Sequence, residues 1–197
     1  MRVLGIDPAA AGPAGFGIVE ADATSCRMLR FGVLQRAPRG GHAFVERLRA
    51  IHALVADLLA EFHPDAVAIE SVFTALNMKT ALKLAEVRGV IMLAAVQACV
   101  PVASYAPREV KASVAGYGHA GKEQMQQMVR ATLNLRNTPL PADAADALAV
   151  ALCHIYSLQA RARIARATAP GAAPAKVSAP PAARNSRSAP RRIQSLR

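Results

Sequence analysis

The chain has 197 residues, of which 53% are hydrophobic and 19% charged, and its 24 lysines and arginines exceed its 13 acidic residues to give a net charge of +11. This length suits one domain with or without an appendage, and the apolar content excludes a wholly disordered chain. The positive charge indicates a polyanionic partner, such as nucleic acid or an anionic membrane surface, rather than a small acidic substrate.

The first third of the chain predicts three strands followed by a helix. Short apolar runs that end in turn residues predict strands at residues 2–6, 15–19 and 27–35, and their close spacing indicates an antiparallel meander. Over residues 42–62 the apolar positions recur every three or four residues, which predicts an amphipathic helix.

The rest of the domain alternates strands and helices. Apolar runs at residues 66–70 and 102–106 predict two further strands, separated by a long helix over residues 76–98. Three shorter helical patterns follow, at residues 108–115, 122–133 and 141–163. The order βββαβαβααα predicts a mixed five-stranded α/β sheet, antiparallel at its start and parallel in its strand-helix-strand units, with helices on its faces.

The basic residues are concentrated at the C-terminus. Residues 158–197 contain nine basic residues and no acidic one, so residues 1–157 have a net charge of only +2. This segment is rich in Ala, Pro and Ser and has almost no aliphatic periodicity after Ile164, so it buries too little surface to fold alone. We predict a folded domain over residues 1–157, whose last helix runs to about residue 163, and a disordered, flexible basic tail over residues 158–197.

Cysteine usage and hydropathy predict the compartment. Cys26, Cys99 and Cys153 lie far apart in apolar surroundings without a CxxC motif, a pattern typical of buried thiols in a reducing compartment. The apolar run over residues 3–6 is too short for the core of a signal peptide, and no stretch reaches the roughly 20 apolar residues of a membrane span. We therefore expect a soluble, cytoplasmic protein.

Four acidic residues stand where this fold predicts chemistry. Asp7 and Glu70 close the first and fourth strands, so they meet at one edge of the sheet if those strands are parallel neighbours. Asp143 and Asp146 lie three residues apart in the first turn of the last helix and share one of its faces. Three of them also have a structural alternative, because the paired aspartates complement the helix dipole and Asp7 before Pro8 suits a turn. Glu70 gains nothing obvious from the fold alone.

Carboxylates that converge on one edge repel one another unless a cation holds them together. Hard oxygen ligands of this kind suit Mg²⁺ or Mn²⁺. Two such ions, about 3.5 to 4 Å apart, can activate a water molecule and stabilise the leaving oxygen of a phosphodiester. The four acids therefore predict a divalent-metal site suited to phosphodiester cleavage.

A series of motifs resembles the RuvC family of Holliday junction resolvases. The matching segments are LGIDP at 4–8, GFG at 15–17, AIESVF at 68–73, ALKL at 81–84, RGV at 88–90 and ADAADALA at 142–149. They occur in the family's order across residues 1–157, which makes the resemblance more specific than any single motif.

The resemblance implies a ribonuclease H-like fold and a homodimeric, Mg²⁺-dependent endodeoxyribonuclease that cuts four-way DNA junctions by paired symmetric nicks in recombination and repair. It implies two Mg²⁺ ions per subunit, which Mn²⁺ can replace, and RuvA and RuvB branch-migration proteins as partners. By motif, the catalytic and metal-binding set is Asp7, Glu70, Asp143 and Asp146. The dimer interface is expected to involve the helix at 76–98, which is apolar over more than one face.

Six further residues are predicted to contact DNA. Phe73 either packs onto the following helix or, as the resemblance implies, stacks as a wedge on an unpaired base at the junction. Lys111 and Lys122 match family lysines near the site, and Lys122 begins a helix, where a cation is unfavourable to the dipole. The other three are either DNA contacts or ordinary charges on the helix at 76–98, namely Lys79, Lys83 and Arg88.

Three other functions fit parts of the sequence. Actin-like sugar kinases and ATPases also begin with a strand ending in Gly-Ile-Asp, but they need a second similar half, which residues 100–197 do not provide. A catalytically inactive DNA-binding module is disfavoured because all four acids are present. A resolvase-like paralogue that acts on RNA is not excluded by the sequence.

Overall fold

A mixed sheet with helices on both faces forms the body of the protein. The computed structural model describes residues 1–35, 43–71 and 77–168. The strands in these residues are β1 (Arg2–Asp7), β2 (Ala14–Ala21), β3 (Cys26–Leu34), β4 (Ala66–Glu70) and β5 (Val102–Tyr105). The helices are α1 (Ala43–Phe62), α2 (Met78–Gln97), α3 (Pro107–Ala115), α4 (Lys122–Thr132) and α5 (Ala142–Thr168). The predicted order of elements is therefore confirmed.

The sheet has the strand order β3-β2-β1-β4-β5. Strands β1, β2 and β3 form the predicted antiparallel meander, and β4 and β5 add to it in parallel. Ile6 of β1 pairs with Ile69 of β4, so the next residues along the two strands, Asp7 and Glu70, lie side by side at the carboxyl edge.

The two faces of the sheet pack against different helices. Val3 lies in one apolar cluster with residues of α3, α4 and α5, whereas Leu4 and Ile6 lie in a second cluster with residues of α1 and α2. This division follows from the alternation of side chains along a strand. The same alternation directs Asp7 to the face that α5 covers.

Glycines allow α5 to lie directly on β1 and β2. A Cβ atom at Gly5 would collide with the main-chain carbonyl of Ala147, and one at Gly15 would collide with the main-chain carbonyl of Asp143. Because Gly15 pairs with Asp7 in the sheet, this close approach brings the first turn of α5 to the same edge.

Helix α5 continues further than its sequence pattern indicates. It is buried as far as Ile155 and continues to Thr168, five residues beyond the predicted end, with residues 160–168 exposed. The first eleven residues of the predicted tail are therefore helical, since 158–168 continue α5. Residues 169–197 lie outside the described part of the chain, and a flexible tail there stays a prediction.

The cysteines only partly match their predicted burial. Cys153 is buried in α5, but Cys26 is half-buried on β3 and Cys99 is exposed in the turn after α2, where its φ of 57° ends the helix. Within the described residues, no helix has both the length and the apolar character needed to cross a bilayer.

Candidate active site

Asp7 and Glu70 form a hydrogen-bonded carboxyl pair at the carboxyl edge of the sheet. Burial, followed by repulsion from Glu70 and Asp146, raises the pKa of Asp7 from 3.8 to about 8. Burial also raises the pKa of Glu70, although the hydrogen bond that Asp7 donates to it acts in the opposite direction. The two carboxyl groups thus share a proton under conditions in which isolated carboxylates would both be ionised.

Asp143 and Asp146 bring the first turn of α5 to this pair. Burial raises the pKa of Asp146, while its ion pair with Lys122 lowers it. The charges of both aspartates act on Asp7, so the structure brings all four predicted acids into one electrostatic cluster. Their role as metal ligands stays a prediction.

Two lysines border this acidic cluster. Lys122 Nζ, at the first residue of α4, lies 3.4 Å from Asp146 Oδ2. Lys111, on α3, is close enough to lower the pKa values of Glu70 and Asp146. The site therefore places negative charge suited to cations beside positive charge suited to phosphate.

The donor chemistry of the cluster, four carboxyl groups, fits a hard divalent metal. In the described residues, no group of three or more Asp, Glu, His or Cys side chains is already arranged to hold a metal ion. The Asp7–Glu70 hydrogen bond and the Lys122–Asp146 ion pair occupy carboxylate oxygens of the cluster. Both contacts neutralise the same excess of negative charge that a hard cation would neutralise.

Arg88 is half-buried, and its side chain contacts the ends of β4 and β5. Its guanidinium donates one hydrogen bond to the main-chain carbonyl of Glu70 and another, 3.0 Å long, to Ser104 Oγ. Burial lowers its pKa. These contacts favour a role in holding the end of β4 in place, and contact between Arg88 and DNA stays a prediction.

Two of the other predicted DNA contacts, Lys79 and Lys83, lie on α2. Lys79 is exposed in the first turn of α2, and Lys83 Nζ lies 5.2 Å from the centre of the Phe44 ring on α1. Phe73 lies outside the described residues, so neither of its two readings is tested.

A buried arginine on α1 was missed by the sequence patterns. Arg47 is only 3% exposed and donates hydrogen bonds to the main chain of the segment between β1 and β2. One signal was available: position 47 lies three residues after Phe44 and four before Ile51, on the apolar face of the helix. A charged residue on that face needs polar partners in the interior.

The family model described as Crossover junction endodeoxyribonuclease RuvC matches residues 3–154. This chain belongs to the RuvC family. RuvC of Moorella thermoacetica is 47% identical over 154 residues, which are 78% of this chain and 90% of that protein. RuvC of Natranaerobius thermophilus is 43% identical over 164 residues, which are 83% of this chain and 100% of that protein.

Solved structures agree with this assignment. The structure described as T. thermophilus RuvC in complex with Holliday junction substrate is 39% identical, with a TM-score of 0.74 over 82% of this chain and 96% of that chain. The resemblance read from the motifs and the ribonuclease H-like fold class are therefore confirmed. RuvC family members are metal-dependent nucleases, and the family match ends at residue 154, before the basic end of the chain.

The shared proton predicts a stability that depends on pH. Asp7 has a higher pKa in the folded than in the unfolded chain. Its contribution to the free energy of unfolding is therefore complete below about pH 4 and is lost as the pH rises toward about 8. We expect the Tm of the metal-free protein, measured in EDTA, to fall between pH 5 and pH 8 more steeply than that of Asp7→Asn. Parallel pH profiles for the two proteins would contradict this.

Proposed function

We propose that this protein is a Holliday junction resolvase, a metal-dependent endodeoxyribonuclease that cuts four-way DNA junctions by paired symmetric nicks in recombination and repair. The main support is the cluster of Asp7, Glu70, Asp143 and Asp146 at one sheet edge, in a chain that belongs to the RuvC family. The related Thermus thermophilus protein has been solved with a Holliday junction substrate.

In the proposed reaction the four acids bind metal and the lysines bind phosphate. Asp7, Glu70, Asp143 and Asp146 are proposed to hold two Mg²⁺ ions, or Mn²⁺ in their place. When bound, the ions would supply an activated water and stabilise the leaving oxygen of the phosphodiester. Asp7 must lose its proton to act as a ligand, and a bound cation would favour that loss by offsetting the burial and the neighbouring negative charges that raise its pKa.

Lys122 and Lys111 are proposed to contact the phosphates next to the scissile bond. Lys122 is largely exposed while it pairs with Asp146, so its long side chain can turn toward an incoming phosphate. We also propose that Lys79, Lys83 and Arg88 contact the DNA arms and that Phe73 stacks on an unpaired base. The inward contacts of Arg88 make it the weakest member of this set.

An exposed apolar stripe on α2 supports a homodimer. Ile91 of this helix packs into the core, whereas the opposite face exposes large apolar side chains to solvent. Their spacing keeps them on one side of the helix over its whole length, as in helices that pack along a seam. We call them the α2 stripe: Met78, Leu82, Met92, Leu93 and Val96.

A second copy of this chain is the proposed partner for the α2 stripe. Two coordinated nicks in a two-fold symmetric junction require two active sites related by the same symmetry. We further propose RuvA and RuvB as partners, supported by family membership, and a cytoplasmic location, which the unpaired cysteines Cys26, Cys99 and Cys153 support.

A direct cleavage assay tests the proposed function. The full chain is incubated with a synthetic four-way junction, a linear duplex of the same sequence and a structured RNA, in Mg²⁺ or in EDTA. We expect paired nicks in the junction alone, and only with Mg²⁺. Cleavage of the RNA instead would favour the RNA-acting alternative, and junction binding without cleavage would favour an inactive binding module.

The basic end of the chain is proposed to bind DNA without contributing to the reaction. Helix α5 begins at the carboxyl edge of the sheet and runs to the opposite edge, where His154 lines a cavity with Met1 and Asp65. The basic residues that follow His154 therefore lie far from the acidic cluster. At 1.5 Å per residue, Arg163 lies about 25 Å from Asp146. If all nine basic residues of 158–197 bound phosphates, they would contribute at most about −8 to the slope of log affinity against log salt concentration.

Replacing these nine basic residues by glutamine should therefore weaken binding to junction and duplex alike and flatten the salt dependence, with the cleavage rate at saturating enzyme unchanged. The measurement is binding affinity at several salt concentrations beside single-turnover cleavage. An unchanged salt slope would show that this end of the chain does not bind DNA.

A further inference from the structure

Arg47 of α1 is a buried cation that contacts main-chain carbonyls on two other segments. Its guanidinium donates to Ala9 O at 3.1 and 2.8 Å and to Gly12 O at 2.5 Å. A longer contact of 3.5 Å reaches Gln35 O, one residue after the end of β3. Arg47 thus connects α1 to the β1–β2 loop, which consists of residues 8–13, and to the end of β3.

The β1–β2 loop joins two parts of the carboxylate cluster. It starts directly after Asp7, whose carboxyl group bonds to Glu70. It ends just before the β2 segment in which Gly15 lies against the Asp143 main chain of α5. Because Asp7 also pairs with Gly15 across β1 and β2, the loop is the main-chain link between Asp7 and the strand segment against which the first turn of α5 packs.

We infer that Arg47 is a positioning residue for the proposed nuclease reaction: through its hydrogen bonds to the β1–β2 loop it holds Asp7 in register with Glu70 and Asp143. This inference rests on the proposed function, but it concerns a buried residue outside the proposed metal-binding and DNA-binding sets. Its effect on the reaction passes through the main chain of the loop.

The contacts require a guanidinium rather than any cation. Arginine presents five N–H donors in a rigid planar fork: Nη2 bonds to Ala9 and Gly12, Nε bonds to Ala9 as well, and Nη1 reaches the Gln35 carbonyl. A lysine ammonium has its three donors on one atom, so it cannot reproduce contacts that start from three separate nitrogens. The carbonyl dipoles around the guanidinium compensate for the burial of its charge. A neutral side chain without N–H donors would leave these carbonyls without their hydrogen-bond partner.

The test compares Arg47→Lys, Arg47→Met and the control Arg49→Met. Arg49 lies two residues further along α1, exposes 76% of its side chain and pairs only with Glu46 among the ion pairs of the described residues. Three quantities are measured on the full chain: single-turnover cleavage at saturating enzyme, the rise in Tm caused by Mg²⁺, and hydrogen exchange at the amides of residues 9–12.

Arg47→Lys should cleave about tenfold to a hundredfold more slowly and need more Mg²⁺ for the same rise in Tm, as is usual when a residue that supports a metal ligand is lost. Exchange in the β1–β2 loop should accelerate, with junction affinity within about threefold of the original protein. Arg49→Met should change none of these quantities. If Arg47→Met does not fold, Arg47→Lys alone decides the outcome.

Unchanged cleavage, Mg²⁺ response and loop exchange in a folded Arg47→Lys variant would overturn the inference. A lowered Tm with an unchanged cleavage rate would do so too, since it shows a role in stability only. Absence of junction cleavage by the unsubstituted protein would count against the proposed function instead, and the Mg²⁺ and exchange measurements would still test Arg47.

Discussion

Replacing Asp7 by Asn, Glu70 by Gln or Asp146 by Asn should abolish nicking of a four-way junction while leaving junction binding nearly intact. Metal ligands supply several kcal/mol of transition-state stabilisation, so a loss of about a thousandfold or more in single-turnover rate is expected. Affinity for DNA comes mainly from contacts with phosphates, which these substitutions leave in place. The measurement is cleavage and gel-shift binding of the same labelled junction.

The control for these variants is Asp57→Asn, which removes an exposed carboxylate from α1. It should cleave and bind like the original protein, and its Tm should rise as much with Mg²⁺. The three cluster variants should lose most of that rise. Equal losses of binding and cleavage, or full cleavage by any of the three, would remove these residues from the catalytic set.

Introducing a charge into the α2 stripe should convert a dimer into a monomer. Val96 is 67% exposed and Leu82 is 57% exposed on this face, so Leu82→Asp with Val96→Asp should leave the folded protomer intact. At a dimer interface the same carboxylates would be buried without partners, which costs several kcal/mol per ion. Sedimentation at micromolar concentration should show a dimer for the original protein and a monomer for this variant.

The loss of the dimer should also appear in the cleavage products. With one active site per particle, the variant should release singly nicked junctions, whereas the dimer should cut both strands within one binding event. Val45→Asp, which charges an exposed apolar position on α1, is the matched control and should stay dimeric. A monomeric original protein, with or without junction, would contradict the dimer, and a dimeric Leu82→Asp/Val96→Asp variant would move its interface away from α2.

Local sequence patterns were sufficient for the order of elements and for the candidate acids. Alternation and three-to-four spacing depend only on neighbours along the chain, so they predicted βββαβαβααα correctly. Asp7 and Glu70 stood out because each closes a short apolar run, and the parallel pairing of β1 with β4 then places them side by side. The end of α5 was predicted less well, because residues 160–168 form a helix without an apolar face.

Tertiary packing decided which face of each helix is covered. The sequence shows α2 as apolar on more than one side, and only its packing against the sheet and α1 buries Ile91 and leaves Leu93 exposed. The same packing turns Arg88 inward to the main chain of Glu70, 18 residues away. A periodic pattern cannot show this, since it records the spacing of apolar residues and not which polar group meets which carbonyl.

The charge state of the site is likewise a property of the folded chain. Nothing in the residues around Asp7 indicates a pKa near 8, which arises from burial beside Glu70 and from the charges of Asp146 and Asp143. Arg47 lies 38 residues from the Ala9 carbonyl that it contacts. The sequence by itself determined which residues are chemically able to form the site. Long-range contacts decided which of these residues share a proton, which hold the strand ends and which remain exposed. The reason is that desolvation and hydrogen-bond partners exist only once distant segments pack together.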